Sequence, residues 1–389
     1  MLDVPSPAAQ PARTPSQARS AISLFSGAGG LDLGCEAAGF ETRAAVESDA
    51  TARRSLLANT THLPVLSTER VFEDIVDLDY DRLLDAAGLE VDEADLLHGG
   101  PPCTPFSKSG YWLAYKRAGE DPKASLLDHY VEALRAIRPK ALLMENVFGL
   151  AYQNHNRPIL QRFVASVRDA GYALDHKIIL AADHGVPQLR QRLICVGIRS
   201  DLLDEPATTW RFDWPAATHA GPHERRVDWD VSLQPHITAG EALEGLASNP
   251  AEPEEIVDGT YAHALREVPP GENYLHLTAK RGHPNPQFEW RKRYWSFLLK
   301  LHPDRPSPTI QGQPGPWVGP FHWDDRRLRV PELKRLMTFP DDYVICGSRR
   351  DQQLQLGNAV PPLLAQRIAE QIADQLGRVD ARSPLALAA

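Results

Sequence analysis

Short apolar runs separated by glycine or polar turns characterise the first half of the chain. Such runs lie at 21–25, 42–46, 96–97 and 141–144, and a helical pattern begins at 31–38, after the first of them. Short apolar runs bounded by turn residues predict buried strands. Their alternation with helical segments predicts an α/β fold, with a doubly wound, mostly parallel sheet and helices on both faces.

Cys103 stands out because of the four residues that precede it. Gly99 and Gly100 admit backbone conformations closed to other residues, while Pro101 and Pro102 fix the backbone dihedral and remove two hydrogen-bond donors. We therefore expect the cysteine on a stiff, extended turn rather than in a core. A thiol presented in this way is a candidate nucleophile.

Glu145 occupies an equivalent place in the next unit. It falls just beyond the predicted strand 141–144, as Cys103 falls beyond the strand at 96–97. Ligands of open α/β sheets bind outside the carboxyl ends of the strands. The pattern therefore predicts that both side chains lie at one edge of the sheet.

A glycine-rich turn at 26–30 indicates a cofactor. The order strand, glycine turn, helix lets a nucleotide-like ligand approach the backbone. The spacing is not GxGxxG, which counts against a dinucleotide dehydrogenase and leaves adenosyl cofactors open. Glu47 follows the next predicted strand, about twenty residues on, where an acid accepts hydrogen bonds from ribose hydroxyls.

Composition bounds the class of protein. The 389 residues, 42% of them hydrophobic, can bury one large core and carry a second smaller region. No run approaches the length of a membrane span. The four cysteines show no metal-ligand or disulfide spacing, so we expect reduced thiols in a cytoplasmic protein and no bound metal.

The formal net charge of -9 argues against DNA binding, but charge is unevenly distributed. Between 280 and 305 there are seven basic residues and two acids, interleaved with aromatic residues. Local basic surface is what phosphate contacts require. Two interpretations stay open for this segment: it faces a duplex, or it is a solvated face whose aromatic residues belong to the core.

Nine motifs resemble, in family order, those of the DNA (cytosine-5)-methyltransferases. They are FSGAGGLDLG at 25–34, ESD at 47–49, DI at 74–75, GGPPC at 99–103, ENV at 145–147, GVPQLRQR at 185–192, RPSPTI at 305–310, the helix-like RVPELKRLMTFPDDY at 329–343 and GNAVPP at 357–362. The resemblance covers nearly everything from residue 21 to about residue 375.

The resemblance implies the S-adenosylmethionine-dependent methyltransferase fold with a smaller, irregular target-recognition domain. The expected organisation is a disordered tail at 1–20, a discontinuous catalytic and cofactor-binding domain at 21–205 and 326–377, the target-recognition domain at 206–325, and a loose tail at 378–389. The segment at 362–377 is expected to be a helix that packs beside the first glycine turn.

The resemblance also implies a reaction: transfer of a methyl group to carbon 5 of a flipped-out cytosine in a specific duplex sequence. The Cys103 thiolate adds to carbon 6, and Glu145 protonates or hydrogen-bonds ring nitrogen N3. Burial would raise the pKa of Glu145 and so keep its proton near neutral pH. Arg190 and Arg192, one residue apart on a predicted strand, would project to one face and hold the cytosine O2.

Contacts with the cofactor and with DNA are assigned to matching positions of the motifs. Those expected for S-adenosylmethionine are Phe25, Ser26, Gly27, Gly29, Gly30, Glu47, Asp74, Pro101 and Asn358. Those expected for DNA are Ser107, Arg291, Lys292 and Arg293. Thr104 departs from the family, which usually has glutamine after the nucleophile.

The implied partner is duplex DNA, and a cognate restriction endonuclease acting on the same site is a candidate partner. We expect a monomer in the bacterial cytoplasm, associated with the nucleoid. One alternative is an RNA cytosine-5 methyltransferase of the transfer-RNA type, against which the long variable region and the intact GNAVPP ending argue. The other is a cofactor-binding or DNA-binding regulator without catalysis.

Overall fold

The computed structural model describes residues 18–102, 126–152, 156–221, 233–246 and 252–382. Eleven strands lie within these ranges: β1 Arg19–Leu24, β2 Phe40–Val46, β3 Val71–Phe72, β4 Leu96–Gly99, β5 Ala141–Val147, β6 Tyr172–Leu180, β7 Gln188–Leu189, β8 Gln191–Arg199, β9 His219–Ala220, β10 Gln234–Pro235 and β11 Ser307–Pro308.

The helices within the described residues are likewise numbered in chain order. They are α1 Gly30–Ala37, α2 Ala50–Leu57, α3 Tyr80–Ala87, α4 Leu126–Ile137, α5 Phe148–Tyr152, α6 Arg157–Asp169, α7 Ala239–Leu243, α8 Ala262–Glu267, α9 Val330–Leu336, α10 Arg349–Asn358 and α11 Pro362–Asp380. Each of them is too short or too polar to cross a lipid bilayer.

A seven-stranded sheet in the order β3-β2-β1-β4-β5-β8-β6 forms the centre of the fold. The five strands from β3 to β5 in this order run parallel, whereas β8 is antiparallel to both of its neighbours. The predicted mostly parallel α/β sheet is confirmed. Because β8 is antiparallel to β5, its first residues lie at the edge where the parallel strands end.

Helices cover both faces of the sheet, which explains the continuous apolar runs. Ile22 packs in one core cluster with residues of α3, α4 and α6, whereas its neighbour Ala21 packs in a second with residues of α1 and α11. Successive side chains of a strand point to opposite faces. Because both faces of the sheet are buried, apolar residues follow one another along the strands and do not alternate with polar residues.

Helix α11 packs closely against α1, beside the first glycine turn. A Cβ atom built on Gly34 would lie 2.3 Å from the Cβ of Ala365 and 2.6 Å from the carbonyl oxygen of Pro362. Only a glycine permits this approach of the two helices. Helix α11 therefore completes the sheet face that β1 and α1 begin, and the predicted helix at 362–377 extends to Asp380.

Residues from 252 to 321 form an irregular region with a core of its own. Tyr274, Phe297 and Phe321 pack together there, and short bridges replace long strands. In this region β11 pairs in parallel with β7, which directly precedes β8 of the large sheet in the chain and forms a separate two-stranded sheet with β11.

Two predicted elements differ from those observed. β5 continues to Val147, so Glu145 lies within the strand and not beyond it, because β8 pairs with β5 along this whole length. The helical pattern at 329–343 forms a helix only over Val330–Leu336, and a turn containing Pro340 follows. Proline in the body of a helix removes a hydrogen bond and clashes with the preceding turn.

Candidate active site

Side chains of the expected site lie along one edge of the sheet. The glycine turn follows β1, Glu47 follows β2, Asp74 follows β3 and Gly100 follows β4. Glu145 lies near the end of β5. Parallel strands bring their carboxyl ends to the same edge, so the sheet gathers residues from five separate motifs.

The glycine turn is shaped by close packing on one side and open on the other. Gly29 and Gly30 are required by packing, because added Cβ atoms would lie 2.6 Å from the Tyr343 hydroxyl and 2.3 Å from the Val360 carbonyl oxygen. Gly27 has a φ of +56°, yet nothing lies within 4 Å of the corresponding Cβ position. The backbone at Gly27 is therefore open to a ligand.

Phe25 and Ser26 connect β1 to this turn and fix its conformation. Phe25 has a φ of +54°, a conformation that non-glycine residues adopt uncommonly and that marks a constrained position. The backbone N–H of Ser26 donates to the carbonyl oxygen of Val46 at 3.2 Å, and its hydroxyl lies 2.7 Å from that of Ser23. The turn is thus fixed to both β1 and β2.

Glu47 lies directly beside the turn. Its carboxylate accepts hydrogen bonds from the backbone N–H groups of Gly27 and Asp49, both at 2.7 Å. Burial raises the pKa of Glu47, although these two hydrogen bonds oppose the shift. Each carboxylate oxygen carries two lone pairs, so Glu47 can also accept hydrogen bonds from ligand hydroxyls. The open backbone at Gly27 and this carboxylate fit an adenosyl cofactor.

Asp74 and Asn358 flank this part of the edge. Asp74 is exposed, and its carboxylate accepts a hydrogen bond from the backbone N–H of Val76 at 3.0 Å. Asn358 is exposed at the end of α10, two residues before Val360, whose carbonyl oxygen faces Gly30. Asn358 therefore lies on the segment that packs against the start of α1.

Glu145 and Arg192 form an ion pair at the centre of the edge. The Nε of Arg192 lies 2.7 Å from Oε1 of Glu145, and both side chains are largely buried. Gly100 lies against the same carboxylate, since an added Cβ atom would be 3.2 Å from its Oε2. The Asn146 side-chain amide donates to the carbonyl oxygen of Pro101 at 3.2 Å. The end of β5 is thereby joined to the loop that leads to Cys103.

Arg190 is placed differently from Arg192, and the expectation that the two share a face is wrong. Arg190 lies between β7 and β8, where its backbone N–H donates to the carbonyl oxygen of Gln188 at 2.9 Å and bends the chain. Its guanidinium is fully buried and donates to the backbone carbonyl oxygens of Ile310, Gly357 and Ala359. Arg190 therefore joins three segments of the fold and does not reach the Glu145 site.

Cys103 and Ser107 lie outside the described residues. Two of the other cysteines are poor nucleophiles, because burial raises the pKa of the Cys35 and Cys195 thiols well above the ordinary value. Cys346 is half-buried. Within the described residues no group of His, Cys, Asp and Glu side chains has the geometry to hold a metal ion.

Asp32 lies within the motif at 25–34 but is not among the site residues expected from the sequence. It lies in the first turn of α1, its side chain is fully buried, and neither carboxyl oxygen makes a hydrogen bond of good geometry within the described part of the chain. Burial raises its pKa to about 7, and the charge of Glu47 adds to the shift, while the nearby Ser23 hydroxyl opposes it. Besides its place in that motif, the sequence signal is an acid between two leucines, Leu31 and Leu33.

The three basic residues expected to contact DNA, Arg291, Lys292 and Arg293, are all exposed. The Arg293 guanidinium lies over the rings of Tyr261 and Phe297, at 5.8 and 5.4 Å from their centres. Lys292 lies 3.8 Å from Glu289 on the surface, where an ion pair contributes little. The segment therefore presents cations to solvent, whereas Phe297 belongs to the core.

A doubly wound sheet with an open glycine turn, an adjacent carboxylate and a Glu–Arg pair at one edge defines a transferase of the methyltransferase type. The profile of C-5 cytosine-specific DNA methylases matches residues 20–374, and the chain belongs to this family. It is a DNA (cytosine-5)-methyltransferase, as predicted from the motifs.

Curated relatives cover nearly the whole chain. The type II methyltransferase M.SacI of Streptomyces achromogenes is 46% identical over 93% of this chain and 94% of its own length. M.NgoFVII of Neisseria gonorrhoeae is 30% identical over 94% of this chain and 90% of its own length. The transfer-RNA alternative is not favoured by these bacterial type II relatives.

Solved structures support the fold alone, because their identities are low. A candidate DNA modification methyltransferase from an E. coli prophage has a TM-score of 0.62 and 22% identity, and covers 92% of this chain and 100% of that one. The Dnmt2 methyltransferase of S. pombe has a TM-score of 0.58 and 15% identity, over 92% of this chain and 99% of that one. The predicted methyltransferase fold is confirmed.

Proposed function

We propose that this enzyme methylates carbon 5 of a flipped-out cytosine in a specific duplex DNA sequence through a covalent Cys103 adduct. The observation that carries the proposal is the Glu145–Arg192 ion pair at the strand edge, beside the segment that leads to Cys103. A buried acid and a guanidinium, together with a candidate thiolate that follows Pro102 in the sequence, would supply the groups that addition to a pyrimidine ring requires.

Cys103 forms the first bond. Its thiolate attacks carbon 6 of cytosine, and the displaced electron pair moves toward ring nitrogen N3. The Glu145 carboxyl group donates a proton or a hydrogen bond to N3 and so stabilises the charge that develops there. Arg192 orients Glu145 through the 2.7 Å contact and has further donors for the cytosine O2.

The adduct has a nucleophilic carbon 5, which accepts a methyl group. S-adenosylmethionine supplies that group when it is bound. Loss of the carbon 5 proton to a base, which passes it to solvent, then lets the bond between Cys103 and carbon 6 break and restores the aromatic ring and the thiolate. The proton held at N3 returns to the Glu145 carboxylate. The enzyme is thus unchanged after each turnover.

The cofactor is proposed to lie along the strand edge from the glycine turn to the segment after α10. Gly27 offers an open backbone, and Glu47 offers acceptors for ribose hydroxyls. Phe25, Ser26, Gly29 and Gly30 shape the turn. Asp74, Pro101 and Asn358 complete the set by their places in the motifs.

The DNA is proposed to contact the target-recognition domain expected at 206–325, including Arg291, Lys292 and Arg293, together with Ser107. We propose that the enzyme is a cytoplasmic, nucleoid-associated monomer, and that it methylates the same DNA site that a cognate restriction endonuclease recognises. Bisulfite sequencing of DNA from a host that expresses the gene would identify the target.

The adduct is tested with duplex DNA that contains 5-fluorocytosine, because fluorine cannot leave as a cation and the enzyme stays bound. We expect wild type to give a covalent complex on denaturing gels and Cys103→Ala to give none and no turnover. Cys346→Ala is the matched control, since Cys346 is half-buried and lies outside the proposed site. Methylation by Cys103→Ala within tenfold of wild type would rule out the assignment.

A further inference from the structure

Tyr294 and Trp295 are unusually exposed for large aromatic residues. Their relative exposures are 71% and 61%, whereas Phe297, two residues on, is buried at 6%. Adjacent exposed aromatic rings mark interaction sites more often than isolated apolar residues do. The interpretation that all aromatic residues of this segment belong to the core is therefore wrong for this pair.

The backbone that carries the pair is held rigidly. The side-chain amide of Asn273 donates to the carbonyl oxygen of Trp295 at 2.8 Å, and the Tyr274 hydroxyl donates to that of Arg293 at 2.9 Å. Asn273 and Tyr274 are both buried. The backbone N–H of Phe297 donates to the Tyr294 carbonyl oxygen at 3.0 Å. The rings are thus presented by a fixed scaffold, which lowers the entropy lost on binding.

The charges around the pair favour a polyanion. Arg291, Lys292 and Arg293 immediately precede it and are exposed. A fourth cation, Lys280, lies 4.7 Å from the ring centre of Trp290. Cations that follow a phosphate backbone, combined with aromatic rings that stack on bases, are the usual means by which proteins hold unstacked nucleotides.

The irregular region also pairs with a strand that lies next to the active-site edge in the chain. β11 follows the aromatic pair along the chain and is paired with β7, directly before Arg190 and β8. A duplex whose target cytosine has left the stack needs support for the bases that remain. A rigid aromatic pair with flanking cations matches that need.

We propose that Trp295, assisted by Tyr294, stacks on a nucleobase of the bound duplex and acts as a wedge in the base stack. This inference rests on the proposed function and names a positioning residue for it. Aromatic wedges partly unstack neighbouring bases and thereby stabilise deformed DNA. Stacking involves no phosphate, so its effect is separable from that of the three preceding cations.

The test compares Trp295→Ala, Trp295→Phe and the triple alanine variant of Arg291, Lys292 and Arg293. The probe is a duplex of about 30 base pairs with the site defined by bisulfite sequencing, and anisotropy gives the dissociation constant at several salt concentrations. We expect Trp295→Ala to raise the dissociation constant of the DNA complex by about 5-fold to 150-fold. The salt slope stays that of wild type, because no counterion release is lost.

The comparison variants give a contrasting pattern. Trp295→Phe keeps an aromatic ring and should restore most of the affinity. The triple variant should flatten the salt slope by up to about 3, because each phosphate contact contributes about 0.9. Val91→Ala is the control for loss of an exposed apolar side chain, since Val91 is 44% exposed and lies before β4, at the opposite edge of the sheet.

A second readout uses 2-aminopurine at the target position, whose fluorescence rises when the base leaves the stack. We expect a smaller rise with Trp295→Ala at saturating protein than with wild type. Equal affinity and equal fluorescence for Trp295→Ala and wild type would overturn the inference. A wild-type protein that forms no adduct with 5-fluorocytosine DNA would instead overturn the proposed function, so the two failures are distinguishable.

Discussion

The buried carboxyl group of Asp32 provides a quantitative test of the structure. The side chain has 0% exposure, and no hydrogen bond of good geometry reaches its oxygens within the described residues. Burial raises the pKa from 3.8 to about 7. Asp32 is therefore largely neutral in the folded protein at pH 6, whereas an aspartate in the unfolded chain is ionised there.

The direction of the stability change follows from proton linkage. Between pH 3.8 and about pH 7 the folded state holds a proton that the unfolded state has lost, so the free energy of unfolding falls as pH rises through this interval. At about 1.4 kcal/mol per pH unit, the interval corresponds to about 4 kcal/mol of lost stability. Above pH 7 the contribution of Asp32 is constant.

Asp32→Asn removes the ionisable proton and nearly keeps the shape of the side chain. We expect the variant to match wild type within about 1 kcal/mol near pH 4 and to become more stable above pH 7, by up to about 4 kcal/mol. Urea unfolding at a series of pH values measures the difference. Glu36, whose pKa burial also raises to about 7, is present in both proteins and largely cancels.

The matched control is Asp81→Asn. Asp81 also lies in the first turn of a helix, α3, but is exposed, so its replacement should change the free energy of unfolding little. A constant difference between Asp32→Asn and wild type from pH 5 to pH 8.5 would refute the reasoning. Lower stability of Asp32→Asn at pH 8 would mean that the ionised carboxylate is stabilised in the fold.

Two further predictions separate chemistry from structure at the strand edge. Glu145→Gln keeps a hydrogen-bond donor but cannot transfer a proton, so kcat should fall by a factor of about 10² to 10⁴ with little change in DNA affinity. A normal kcat with weakened DNA binding would show that Glu145 only positions the DNA. Arg190→Lys should lower the free energy of unfolding by on the order of 3 kcal/mol, because a lysine side chain cannot donate to the three carbonyl oxygens in the geometry of a guanidinium. Arg192→Lys, in contrast, should lower kcat with little change in the urea midpoint of unfolding. Equal unfolding midpoints for the two lysine variants would contradict these separate roles.

Much of the fold was predictable because its signals are local. The apolar run of β1, the glycines that follow it and the start of α1 depend on backbone sterics within a few residues, and so does the stiffness of Pro101 and Pro102. The strand edge followed as well, because parallel strands place Glu47 and Glu145 at the same end of the sheet. For these features, local sequence and fold agree.

The tertiary structure determined the burial and the hydrogen-bond partners of polar side chains that look alike in sequence. Arg190 and Arg192 differ because a bend at Arg190 turns one guanidinium toward three backbone carbonyl oxygens and leaves the other for Glu145. The raised pKa of Asp32 and the exposure of Trp295 both depend on how parts of the chain distant in sequence pack in the fold. Burial and partners depend on residues far apart in sequence, so only the folded chain sets the charge and accessibility of each group.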